Sequence, residues 1–175
     1  MKYPEVCPHC NHKIVMPGGP SKSKFIIVGE NPGVEEIKES LAWVGSAGKV
    51  LRRELALLGI DLSSIRHTNI WVHESNKNDE DRMANFAYAY EELKGREVAL
   101  LVGSEVAKWA SNNKWKVSDL TGLELTSEQL GNPLINIPHI IFSVNPAIVL
   151  HSGGIGETRL AIRRFGKLVR SLEDD

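Results

Sequence analysis

KFIIVGENPG, residues 24–33, decides the fold. Its first five residues are a short apolar run that stops at Gly29, as a buried parallel strand does when it hands the chain to a loop. The same pattern returns at 66–72 (RHTNIWV), 97–102 (EVALLV) and 139–144 (HIIFSV). Between these runs the periodicity becomes helical. Ser46 opens one helix, with Val50, Leu51, Leu55 and Leu58 on a single face and Gly59 as its stop. Others are expected near 79–94, 103–112 and 155–172. Strands alternating with helices imply parallel pairing through right-handed crossovers, hence a three-layer α/β/α arrangement with a central four-stranded parallel sheet. Residues 119–138 contain Gly122, Gly131, Pro133 and Pro138, and are expected to form an irregular hairpin.

The 175 residues, 42% hydrophobic and 25% charged, are expected to form a single domain over 1–175 with a core of its own. No run is long enough to cross a bilayer, and residues 1–20 lack the apolar stretch of a signal peptide, so a cytoplasmic protein with no membrane partner is expected. Cys7 and Cys10 stand three apart, a spacing that suits metal or redox chemistry in a reducing compartment. Residues 1–23 would then be a metal-binding knuckle packed on the domain. Because the net charge is −1, any nucleic-acid face must be a local patch.

Ligands of open α/β sheets sit at the carboxyl ends of the strands. Here every such end is polar: GENPG (29–33), Thr68 with Asn69, GSE (103–105) and SVNP (143–146). A single Gly-Asn-Pro-Gly stretch is an ordinary turn. Four polar loops at one sheet edge make a crevice worth reading as a site.

Taken in order, GENPGVEEIKESLAWVGSAGKVLRRELALLGI (29–60) and HTNIWV (67–72) resemble the family four uracil-DNA glycosylases. That family has a Gly-Glu-x-Pro-Gly loop, acidic residues, an aromatic-Val-Gly-x-Ala-Gly segment, a helix and a Thr-Asn pair on the next strand. LLVGSEVAKWA (100–110) resembles its third strand and helix, and FSVNPAIVL (142–150) stands in place of its His-Pro-Ser loop. The resemblance covers nearly the whole chain. It implies a uracil-DNA glycosylase-like fold, DNA as partner, a monomeric state, and hydrolytic release of a flipped pyrimidine.

Roles follow from the same resemblance. A stacked base hides its glycosidic bond, so the nucleotide must be extruded into a pocket that stacks on it and reads its edge. Trp43 falls at the family's stacking aromatic, though a tryptophan serves equally well in a core. Asn69 matches the base-reading Asn, beside Gly29; its amide supplies a donor and an acceptor, and an Asn at a strand end is also a common cap. Glu30 matches the family four Glu. Asn31 matches the water-holding Asn of the mismatch-specific and single-strand-selective relatives, whose loops read Gly-x-Asn-Pro-Gly, so the loop is a hybrid with catalytic candidates at both positions. Asn145 replaces the motif-two His that bonds the departing base, as in the Asn-Pro-Ser loop of the mismatch-specific relatives. Val149 or Leu150 falls where the superfamily inserts an apolar wedge into the stack. Ser46, Ser143, His151 and the Gly153-Gly154 backbone are candidates for phosphate contacts. Arg159 is a candidate DNA contact, while Arg163, Arg164, Lys167 and Arg170 read as a solvated helix face.

The resemblance also implies a metal. Family four holds an iron-sulfur cluster with four cysteines, the first pair before strand one and the third shortly after Thr-Asn. Cys7 and Cys10 match the first pair, but His73 stands at the third position and no cysteine at the fourth, so a complete four-cysteine iron-sulfur cluster is not expected. Two thiolates with imidazoles from His73 and His12, or His9, would suit tetrahedral structural zinc instead. A vestigial knuckle without metal is the alternative.

Two activities fit these residues. One is a monofunctional glycosylase that removes uracil or another altered pyrimidine and leaves an abasic site. The other is a glycosylase-fold DNA-binding module without hydrolysis, since the motif-two His is missing and the first motif has no Asp. Trp43, Asn69 and the Asn-Pro-Gly loop favour the first. A nucleotide hydrolase would need a phosphate-cradling loop with Lys and Ser, which GENPG lacks.

Overall fold

The computed structural model describes residues 1–148 and 155–175. Its sheet holds β1 (Phe25–Gly29), β2 (Arg66–Asn69), β3 (Val98–Val102), β4 (Glu124–Leu125) and β5 (His139–Ser143) in the order β2-β1-β3-β5-β4. Four strands are parallel, as the alternating pattern predicts. The fifth, β4, pairs antiparallel with β5 at the edge and is too short for sequence periodicity to reveal. The helices are α1 (Val34–Glu39), α2 (Ser46–Ala56), α3 (Asp79–Leu93), α4 (Ser104–Ala110), α5 (Val117–Leu120), α6 (Ser127–Leu130) and α7 (Ile155–Glu173). The expected irregular hairpin is therefore two short helices flanking β4, the second fixed by a Thr126–Gln129 capping box.

Alternate residues of each buried strand face opposite sides of the sheet. Phe25 and Ile27 pack with Leu51 and Leu55 of α2 and with Ile162 and Phe165 of α7. Ile26 and Val28 pack with Leu93 of α3 and with Val106 and Trp109 of α4 on the other face. Both faces are covered, which is why the strands read as continuous apolar runs rather than alternating ones.

The amino-terminal segment closes the β2 edge. Gly18 and His67 exchange both backbone hydrogen bonds, 2.9 and 3.0 Å, and Val15 N–H donates to the Val72 carbonyl at 2.7 Å. An open strand edge is thereby paired, and the cysteine knuckle is tied to the loop after β2. No helix among the described residues is long and apolar enough to cross a membrane.

Candidate active site

Gly29, the last residue of β1, lies in register with Asn69, the last of β2. Pairing continues beyond the strands: Ile70 N–H donates to the Gly29 carbonyl at 2.8 Å and Trp71 N–H to the Glu30 carbonyl at 2.9 Å. The two loops thus leave the sheet as one unit. Beside them opens a cavity of about 190 Å³ lined by Gly29, Glu30, Asn31, Trp43, Asn69 and Asn145, with Glu36, Ala47 and Val102 completing its wall. All the residues that the sequence assigns to chemistry or base reading meet here.

Close packing accounts for Gly29. A Cβ there would lie 2.6 Å from Asn69 Oδ1 and 2.7 Å from Trp43 Cζ2, so only glycine lets the indole and the amide meet over the strand end. Trp43 is pinned by its Nε1–H, which donates to the Thr68 carbonyl at 3.1 Å, and by Arg52, which donates to the Trp43 carbonyl at 3.2 Å. Its φ of 59° is left-handed, a conformation that bulky residues adopt only where the surroundings impose it. The sequence left pocket and core as alternatives for this side chain. In the structure it lines the cavity with one edge and, only 6% exposed, packs with Leu51 and Val102 in the core.

Three other side chains set the polarity of the cavity. Asn31 donates one Nδ2–H to the Pro32 carbonyl at 3.2 Å, which leaves its second N–H and its Oδ1 open. Asn145 does the reverse: its Oδ1 accepts from Ala147 N–H at 2.9 Å, leaving the NH₂ as donor. Glu30 lies over Gly103, whose φ of 107° and missing Cβ make room for the carboxylate. Glu36, which sequence reasoning passed over as part of an acidic stretch, reaches from α1 to accept from Gly45 N–H at 3.2 Å. It ties α1 to the start of α2 and adds a second carboxylate to the wall.

Residues 16–160 match the sequence model of the Uracil DNA glycosylase superfamily. The chain belongs to that superfamily. Its members act on DNA, and membership points to a DNA glycosylase activity.

The candidates for DNA contact are not gathered in the same way. Ser46 is exposed at the first residue of α2, where free helix N–H groups favour a phosphate. Ser143 is wholly buried and donates to the Val144 carbonyl at 2.8 Å, so the structure gives it no phosphate-facing role; the inward phase of β5 decides this. Arg159 is drawn inward by the buried Glu54 carboxylate of α2, with bonds of 3.1 and 3.2 Å, and acts first as a tie between α7 and α2. Val149, Leu150 and His151, with Gly153 and Gly154, lie outside the described residues.

A second polar cluster lies on the far side of residues 70–73. Cys7, Cys10, His73 and Asp81 present donor atoms that are all within 4.8 Å of one another. The knuckle is shaped by Asn11 N–H donating to the Cys7 carbonyl and Cys7 N–H to the His12 carbonyl, both at 2.8 Å. His12 is exposed and stacks on the His73 ring at 5.8 Å instead of joining the donors, and His9 is exposed as well. Asp81 takes the place expected of a second imidazole. Helical phase selects it from the acidic first turn of α3, because it points inward together with Asn85 one turn later. Asn78 caps that turn through Asp81 N–H at 2.9 Å.

The donor set fits zinc. Tetrahedral zinc with bonds of about 2.0–2.3 Å separates its ligand atoms by roughly 3.3–3.8 Å. Cys7 Sγ and His73 Nε2 stand 3.0 and 3.1 Å from Asp81 Oδ1, and Cys10 Sγ stands 3.8 Å from Nε2. His73 Nδ1 lies 2.8 Å from the Glu74 carbonyl, a bond that places the proton on Nδ1 and directs the Nε2 lone pair to a metal. Burial works against the Asp81 carboxylate, but hydrogen bonds from Cys7, Asn76 and Cys10 and the nearby His73 outweigh it and hold the group well below the usual carboxylate range. Burial, aided by Asp81 and Cys7, pushes the Cys10 thiol up to about 12, so metal binding would release protons.

Proposed function

We propose that this chain is a monofunctional DNA glycosylase that extrudes uracil or another altered pyrimidine and hydrolyses its bond to deoxyribose, leaving an abasic site. The observation that carries the reading is the convergence of Trp43 and Asn69 over Gly29, a platform and a reading amide at the mouth of one cavity. Stacking on such an aromatic contributes about 1–3 kcal/mol toward holding an extruded base. Asn69 pairs with the base edge. Asn31, with its Oδ1 free, holds and orients the attacking water. As the C1′–N1 bond lengthens, the sugar becomes cationic and charge moves onto the base, where the Asn145 NH₂ stands ready to donate.

In this reading the Cys7, Cys10, His73 and Asp81 cluster holds one structural zinc. The ion would fasten the knuckle to residues 70–73 and α3, and through Trp71 N–H steady the Glu30 carbonyl beside the cavity. Zinc would take no part in the chemistry.

The deciding experiment incubates the protein with oligonucleotides that carry uracil, thymine mismatches or modified cytosines and then cleaves abasic sites with alkali. Strand scission on at least one substrate is expected. Binding without scission on every substrate would leave a DNA-binding module. Metal analysis should return close to one zinc per chain, and iron with sulfide would contradict the zinc assignment.

A further inference from the structure

Resting on the zinc reading above, we infer that Asn76 decides how the metal is held: by engaging one oxygen of Asp81 it makes that carboxylate a one-oxygen ligand, and so selects a four-coordinate ion.

The carboxylate is the one donor of this cluster that can bind a metal in two ways. A thiolate or an imidazole nitrogen gives a single ligand atom, whereas an Asp gives one oxygen or both. One oxygen completes a tetrahedron of two sulfurs, a nitrogen and an oxygen, the arrangement that suits zinc. Two oxygens raise the coordination number to five and move the site toward ions that accept more and harder ligands. The four donor residues by themselves leave that choice open.

The two oxygens of Asp81 meet different neighbours. Oδ1 stands among the other donors, 3.0 Å from Cys7 Sγ and 3.1 Å from His73 Nε2. Oδ2 accepts from Asn76 Nδ2 at 2.6 Å, a short charge-assisted bond. Asn76 is only half-buried and supplies no ligand atom, so it acts as a positioning residue.

Asn76 is itself held in the orientation this requires. Its Oδ1 accepts from Asn78 N–H at 2.8 Å, which turns its NH₂ toward Asp81. The Asn78 side chain in turn accepts from Asp81 N–H at 2.9 Å. The three residues thus form a closed ring of hydrogen bonds at the start of α3. Asn85 treats the other oxygen differently. Its Oδ1 accepts from Val72 N–H at 2.9 Å, so its NH₂ faces the cluster, where it donates to the Asp81 carbonyl at 2.9 Å and to Oδ1 at 3.1 Å. The same NH₂ lies 3.1 Å from His73 Nε2, a contact it yields once that nitrogen binds the ion. Oδ1 then carries one amide proton and keeps a lone pair for the metal.

The test uses the full chain, stripped of metal and reloaded with cobalt(II) or zinc(II). Cobalt in a four-coordinate thiolate site absorbs strongly in the visible, and a fifth ligand weakens those bands. Wild type should show the strong bands. Asn76→Ala, checked by its melting curve to be folded, should lose several-fold of that intensity. Its zinc affinity, read by competition with a chromogenic chelator, should fall about 10–100-fold. X-ray absorption at the zinc edge counts the ligand atoms directly, with four expected for wild type and five for Asn76→Ala. In an Asp81→Cys background, where the ligand has a single donor atom, Asn76→Ala should change neither the cobalt bands nor the affinity. Unaltered bands, ligand count and affinity in the single Asn76→Ala variant would overturn the inference. An equal loss in both backgrounds would also overturn it, and would assign Asn76 to ordering the loop before α3. Failure of wild type to take up either ion would defeat the zinc reading itself.

Discussion

The cleft and the cysteine cluster are built from similar polar side chains only four residues apart on one stretch of chain, yet they treat hydrogen bonding in opposite ways. Around Asp81 the groups answer one another. Oδ1 meets Cys7, His73 and Asn85, Oδ2 takes the Asn76 amide at 2.6 Å, and Asn85 Oδ1 accepts from Val72 N–H at 2.9 Å. In the cleft, Asn31, Asn145 and Glu30 each keep an unspent group that faces no described protein partner. Asn31 and Asn145 are exposed and Glu30 is half-buried, so their open groups are left to solvent or a ligand, whereas Asp81, His73 and Asn85 are buried and must satisfy one another, which makes that cluster a fastening. Residues 69–73 join the two: Asn69 lines the cleft and His73 belongs to the cluster.

That contrast predicts where substitutions act on stability and where they act on chemistry. Asp81→Ala, which leaves His73 and both thiols without their shared partner, should cost about 3–5 kcal/mol of stability. At about 2–4 °C per kcal/mol this lowers Tm by roughly 6–20 °C, and metal analysis of the variant should find the zinc lost. A strong chelator should move wild type in the same direction. An unchanged Tm with full zinc would erase the distinction between fastening and cleft.

Trp43 tests the border, because it belongs to both. Trp43→Ala should cost about 3–5 kcal/mol in denaturant unfolding, as expected when a large side chain leaves a core, and should also depress base release. Trp43→Phe should recover much of the stability and part of the rate. Equal stability of the Ala variant and wild type would remove Trp43 from the core.

Asn31→Ala should act on chemistry alone. Loss of a positioned transition-state group costs about 2.7–4 kcal/mol, or 10²–10³ in single-turnover rate, with Tm and DNA affinity close to wild type. Asn145→Ala should be slower than wild type but lose less, since the base retains Asn69. A near-normal rate for Asn31→Ala would transfer the water-holding role to Glu30.

Gly29→Ala is the mildest of the series. The new methyl must displace both Asn69 Oδ1 and Trp43 Cζ2, an overpacking cost of about 1–3 kcal/mol. Its effect should appear as weaker discrimination among bases more than as unfolding, read from relative single-turnover rates.

The sequence by itself determined the four parallel strands of the sheet and most of the contents of the cleft, β4 and Glu36 excepted. Apolar runs at 24–28, 66–72, 97–102 and 139–144 sufficed for four parallel strands, although the second ends at Asn69 and not at Val72, because strand burial imposes a local pattern that needs no partner to be read. The order of motifs then placed Glu30, Asn31, Trp43, Asn69 and Asn145 at one sheet edge. Tertiary structure alone decided which way each polar group faces and which neighbours it meets. Ser143 turned inward and Arg159 was claimed by Glu54, and neither outcome has a local signature, since both depend on contacts distant in the chain. Asp81 displaced His12 for the same reason. Three acids share the first turn of α3, and only packing against the knuckle, 74 residues away in sequence, distinguishes the buried one from its exposed neighbours.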